Sequence, residues 1–114
     1  MKKIYILTLI VAAVALQNCS TTKQAQVKKP ATVTYASNIQ GILTNNCSPC
    51  HFPPQGNKEP LNTYAGAKSH IDQIIDRINR NPNERGFMPA KHPKLADSTI
   101  TAFVKWKEGG LLEK

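Results

Sequence analysis

The sequence predicts an all-α head built from about three main helices. Apolar residues recur at helical spacing in three separate stretches, segments dense in helix breakers divide them, and no stretch alternates like a strand for long. No internal repeat is visible along the 114 residues.

Taken in chain order, the expected parts are a signal peptide over 1–18, a linker over 19–32 and one head over 33–114. Lys2 and Lys3 precede an apolar run, Ile4 to Leu16. As a helix rising about 1.5 Å per residue, that run is too short to cross roughly 30 Å of hydrocarbon, and it fits a secretory segment instead. It closes on Leu16-Gln17-Asn18-Cys19, which resembles a bacterial lipoprotein signal. In such signals a Leu stands three residues before a Cys that is lipidated and becomes the mature N-terminus. Asn18 departs from that pattern, where the residue before the Cys is usually small. Two other readings stay open. Cleavage after Ala13-Val14-Ala15 would release a soluble periplasmic protein, and an uncleaved segment would itself serve as an anchor. The soluble form would expose Cys19 as a free thiol in an oxidising compartment, a liability that favours lipidation of Cys19. Residues Ser20 to Thr32 are polar and basic with no apolar period to bury, so they read as a flexible tether reaching roughly 45 Å when stretched.

In the head, Tyr35, Ile39, Ile42 and Leu43 place a first helix from about Tyr35 into the cysteine region, capped by Thr34 or Ser37. Gly41 inside it either costs helix stability or lets another backbone approach closely. Phe52 to Pro60 is a loop rich in breakers. Ile71, Ile74, Ile75 and Ile78 define a second helix, with Asn62 or Thr63 as its cap and Asn81-Pro82 as its end. A third begins near Asp97 or Ser98, carries Ile100, Phe103 and Val104 on one face, and stops at Gly109-Gly110, a pair suited to a left-handed cap.

The formal charge is +8, from 15 Lys and Arg against 7 Asp and Glu. Five of the basic residues, Lys2, Lys3, Lys23, Lys28 and Lys29, precede the head, which therefore carries about +3. That is a modest bias rather than a nucleic-acid-binding stripe, and it suits acidic protein partners or anionic headgroups. With Cys19, Cys47 and Cys50 the only cysteines, a framework of several disulfides is excluded.

Cys47-Ser48-Pro49-Cys50-His51 carries the chemistry. C-x-x-C-H is the haem attachment signature: two thiols three residues apart reach the two vinyl groups of one macrocycle, and the adjacent imidazole is directed at the iron. The alternatives each lack something. A thioredoxin-like pair needs βαβ strands and an exposed low-pKa thiolate. A zinc site would have to recruit His70 or His92 from scattered positions. A plain Cys47–Cys50 disulfide leaves His51 without a reason.

The head resembles a monohaem class I c-type cytochrome of the short bacterial kind, over about Thr32 to the C-terminus. The resemblance rests on a helix leading into C-x-x-C-H, on Met88-Pro89 in a late loop, and on a final helix bearing Phe103 and Trp106. It implies a cytochrome c-like fold, with helices packed around one covalently bound haem c held by thioethers to Cys47 and Cys50. It further implies His51 as proximal and Met88 as distal iron ligand. Met88 is the only Met besides the initiator, and thioether with imidazole suits a cytochrome. His70 and His92 are the competing distal ligands, each read by default as a surface His. Phe103 and Trp106 read as core. Arg77, Arg80, Arg85 and Lys91 flank the Met88 loop, as propionate partners, a docking rim or a solvated face. Tyr64 and Asn79 are candidates for hydrogen bonding inside the pocket.

With both axial positions filled by protein, the chemistry left to the iron is one-electron exchange. The expectation is therefore an electron carrier, not an enzyme, in the bacterial cell envelope. Its head would face the periplasm and a lipid on Cys19 would hold it to the inner or outer membrane. Its partners are redox donors and acceptors, with no nucleic acid, and it acts as a monomer or a subunit of a respiratory complex. Two other classes stay open: a haem-based sensor or peroxidase-like accessory with a labile distal site, and a fixed haem subunit of a larger complex.

Overall fold

The computed structural model describes residues 31–114, and the signal segment, Cys19 and nearly all of the tether lie outside that range. Among the described residues the head is helical, with four helices and no strand. We number them α1 (a π-helical opening, Tyr35–Ile39, continued by Gln40–Cys47), α2 (Tyr64–Ser69), α3 (Ile71–Asn79) and α4 (Asp97–Glu108).

Thr34 starts α1. Its backbone is extended, and its Oγ1 accepts the Ser37 N–H at 3.3 Å. Tyr35, Ile39 and Leu43 form the buried stripe of this helix. Gly41 stands on the exposed side with nothing within 4 Å of where a Cβ would lie, so no backbone approaches there and only the entropic cost of glycine remains. α1 ends at Cys47 because Ser48 precedes Pro49. The proline ring disfavours helical geometry at the residue before it, and Ser48 is extended at φ −76°, ψ 152°.

The expected second helix is two helices. Thr63 caps the first, accepting the Gly66 N–H at 3.1 Å, but the spiral breaks at His70, where φ is −110° and ψ 11°. Side chains compete for the helical carbonyls at this point: Ser69 Oγ donates to the Gly66 carbonyl at 2.9 Å, and His70 Nδ1 lies 2.9 Å from the same oxygen. α3 then restarts on the isoleucine stripe, burying Ile71, Ile74 and Ile78 and leaving Ile75 half-buried.

α3 packs against α4, and α4 packs against the opening of α1. α4 stops as its glycines require. Gly110 is left-handed at φ 89°, its N–H donates to the Lys107 carbonyl at 3.2 Å, and the Leu111 N–H donates to the Trp106 carbonyl at 2.9 Å. The turn sends the C-terminal tail back across the start of α1. The Tyr35 and Ala36 N–H groups, unpaired within their own helix, donate to the carbonyls of Leu112 and Glu113 at 2.9 and 3.0 Å. Trp106 Nε1 donates to Leu112 O and the Tyr64 hydroxyl to Leu111 O, both at 2.8 Å. Around this knot the rings of Tyr35, Tyr64 and Trp106 lie 5.7–6.3 Å apart, two of the three pairs edge to face.

Trp106 and Phe103 are thus core residues, at 0% and 1% exposure. Trp106→Ala should cost about 3–5 kcal/mol, whereas Gly41→Ala should stabilise by about 0.5–1 kcal/mol. Urea unfolding followed by circular dichroism measures both, and equal losses for the two variants would contradict this account of the packing.

Candidate functional site

Past Pro49 the chain turns back on itself. The His51 N–H donates to the Cys47 carbonyl at 3.1 Å and the Phe52 N–H to the Pro49 carbonyl at 3.0 Å, which keeps the motif coiled as a tight turn beyond the helix. The segment 52–61 then folds over the motif through backbone bonds, Lys58 N–H to Cys50 O at 3.1 Å and Leu61 N–H to His51 O at 2.9 Å. Gly56 makes this wrap possible, since a Cβ there would run into the carbonyl oxygens of Cys50 and Pro49.

The wrap fixes the imidazole. His51 Nδ1 lies 2.8 Å from the carbonyl oxygen of Glu59. A carbonyl only accepts, so Nδ1 carries the proton and donates to it.

A cavity of about 750 Å³ opens in front of the motif. Cys47, Cys50 and His51 line one part of it, and Met88 and Pro89, from the loop after α3, line another. Leu61, Ile74 and Ile78 add apolar wall. Basic groups, Lys58, Arg77 and Lys91, stand on the lining with Glu59 as the one carboxylate. The volume falls within the roughly 300–1,000 Å³ of small-molecule and cofactor sites, and so does the character: apolar walls with a few convergent polar groups.

The structure thus gathers Cys47, Cys50, His51 and Met88 on one cavity. His70 and His92 line it too. His70 is engaged on both nitrogens, with Nδ1 beside the Gly66 carbonyl and Ser69 Oγ and Nε2 3.4 Å from the Glu59 carboxylate; His92 is exposed. Two expectations need correction. Tyr64 points its hydroxyl at the C-terminal tail, and Asn79 Nδ2 donates to its own helix at Ile75 O, 2.8 Å away; neither lines the cavity. Of the four basic residues expected near the Met88 loop, only Arg77 and Lys91 line the cavity, whereas Arg80 and Arg85 do not. Sequence reasoning missed Gly56 and Glu59. The breakers around them signalled a loop, but no residue type announces which carbonyl faces an imidazole.

Both thiols are free. Burial pushes the Cys47 thiol up to about 11, away from the depressed range of a redox-active thiolate, and its place at the last residue of a helix, beside unpaired carbonyls, opposes the thiolate as well. Among the described residues no three His, Cys, Asp or Glu side chains cluster as a metal-ion site. No protein-family model, curated protein or solved structure matches the chain.

The thiol makes a prediction. At pH 8, raising the pKa from 9.0 to about 11 cuts the thiolate population about a hundredfold, and the greater nucleophilicity of the more basic sulfur restores about tenfold. In the cofactor-free Cys50→Ser variant, Cys47 should therefore react with an aromatic disulfide about tenfold more slowly than a free cysteine. The rate should still climb as pH rises past 9. Stopped-flow absorbance checks it, and a rate equal to that of the free amino acid at pH 8 would contradict the burial argument.

Proposed function

We propose that this chain is a monohaem c-type cytochrome that passes single electrons between protein partners in the bacterial cell envelope. The observation that carries the reading is the convergence of the Cys47, Cys50 and His51 motif with Met88, distant from it in sequence, on one apolar cavity of cofactor size. The residues fit haem c. Cys47 and Cys50 would hold it by thioethers, His51 Nε2 and the Met88 thioether would be the two axial ligands, and Lys58, Arg77 and Lys91 would balance its carboxylates. Bound there, haem would supply a one-electron ferric/ferrous couple, shifted to positive potential by the thioether.

The chain's own part is to hold and to exclude. The Glu59 carbonyl orients the imidazole through the Nδ1 proton. Leu61, Ile74 and Ile78 keep water from the cavity wall. Met88, by holding the iron, would leave no open site for oxygen or peroxide, which favours a carrier over a sensor or peroxidase-like accessory. The membrane tether through Cys19 belongs to the same proposal, as does a periplasm-facing head that meets acidic redox partners.

Expression in a host with haem-attachment machinery should yield a red protein heavier than its polypeptide by one haem, with a low-spin spectrum and no carbon monoxide binding in the ferrous form. Replacing Cys47 and Cys50 together by Ala should abolish the mass increment. Met88→Ala should lower the reduction potential and open the ferrous iron to carbon monoxide. A colourless wild-type product under these conditions would end the proposal.

A further inference from the structure

The loop that presents Met88 has no regular structure of its own, yet it is fastened to the end of α3 at several points. Arg80, the residue that closes α3, spans two partners with one guanidinium: Nη2 meets the Asp76 carboxylate one turn back, and Nη1 donates to the Arg85 carbonyl across the loop. Arg77 Nη1 lies 3.4 Å from the next carbonyl, Gly86 O, and the Met88 N–H donates to the Arg77 carbonyl at 3.2 Å. Lys94 Nζ donates to Asn79 O at 3.0 Å, closing the far end of the loop. The loop backbone comes so near that a Cβ at Gly86, which is left-handed at φ 85°, would lie 2.7 Å from Arg80 Nη1.

We infer that Arg80 is a positioning residue for Met88, a two-armed clasp that pins the Arg85–Gly86 turn to α3 and thereby sets where the thioether enters the cavity. The inference deepens the cytochrome reading and rests on it for the role of Met88. The clasp itself does not depend on a cofactor. A planar guanidinium presents its donors in a fixed fork, so one group reaches a carboxylate and a carbonyl at once; an ammonium satisfies either partner but does not reproduce the fork. Basic charge at this position also meets the unpaired carbonyls at the α3 C-terminus favourably. Arg80 is consequently engaged within the chain and is not a free member of a docking rim.

The test uses Arg80→Lys and Arg80→Gln in the full chain, with Lys107→Ala as a control. The control breaks a comparable surface ion pair, to Asp72 at 2.6 Å, away from the loop. Amide hydrogen exchange followed by NMR is read at Met88, whose N–H is bonded to Arg77 O, and at Phe103 in the core. Both Arg80 variants should speed exchange at Met88 about three- to tenfold relative to Phe103, while Lys107→Ala leaves that ratio unchanged. In the haem-loaded protein the same two variants should weaken the far-red thioether-to-ferric-iron band and lower the potential in the direction of Met88→Ala. Unchanged Met88 exchange would overturn the clasp, and so would equal acceleration at Met88 and Phe103, which would mark a general loss of stability. Should the wild type carry no haem, the cytochrome proposal falls, and the exchange ratio alone still decides whether Arg80 holds the loop.

Discussion

An imidazole offers one nitrogen to a metal dependably only when the other nitrogen is held, and in this head the hold is a backbone carbonyl. The bond from His51 Nδ1 to Glu59 O exists because residues 52–61 are laid back over the motif, and that fold-back depends on Gly56 having no side chain. The motif itself is released from helical geometry at one point, where Pro49 forces Ser48 to be extended. Had α1 run on through Ser48, Cys47 and Cys50 would have stayed on the rod of the helix, and His51 could not be met by the returning chain. Two local rules, one of proline and one of glycine, are enough to turn a helix end into a cofactor-sized corner.

α3 is the wall shared by that corner and the core. Ile74 and Ile78 are buried on the helix side and also line the cavity, and the carbonyl of Arg77, the residue before Ile78, accepts the Met88 N–H. The second half of the site is therefore indexed to α3 by backbone and guanidinium bonds, alongside the packing of Met88 and Leu95 against the core. Elsewhere the C-terminal tail ties α1, α2 and α4 together through Leu111, Leu112 and Glu113, and the aromatic knot of Tyr35, Tyr64 and Trp106 fills that region. The aromatic mass of the core is thus gathered at the tail, and none of these three rings lines the cavity.

The parts legible in the sequence were those governed by local period and local chemistry. The isoleucine stripe of α3, the extent of α4, the Thr34 cap and the glycine stop follow from residue type and spacing, whereas Thr63, expected to cap the isoleucine helix, caps the separate α2. What escaped was decided by partners remote in sequence or by competition for a single carbonyl. His70 breaks the expected second helix because Ser69 and His70 both contend for Gly66 O, a contest that residue types permit but do not predict. Tyr64 was assigned to the pocket and instead caps a tail carbonyl from residue 111. Cys47, Cys50 and His51 stood out in the sequence as a C-x-x-C-H pattern and Met88 as the one methionine past the initiator, and the structure brings all four to one cavity lining. Glu59 was invisible because it acts through its main chain, which every residue possesses.

A head of about 80 residues has a small apolar core and commonly needs some tie besides packing. Here a cleft of about 750 Å³ opens beside that core, walled by the end of α1, by α3, by the fold-back over the motif and by the loop carrying Met88. On the proposed reading the cofactor is that tie: bonded to Cys47 at the end of α1 and to Cys50 in the turn beyond it, and meeting Met88 across the cleft, it would join segments far apart in sequence. Covalent attachment then has a structural reason besides retention of the group outside the cell. A non-covalent ligand would stabilise the fold only to the extent that its free concentration exceeds its dissociation constant. Thioethers remove the concentration from the relation, and the Arg80 clasp and the Glu59 carbonyl have only to set the positions of two ligands on a group that is already in place.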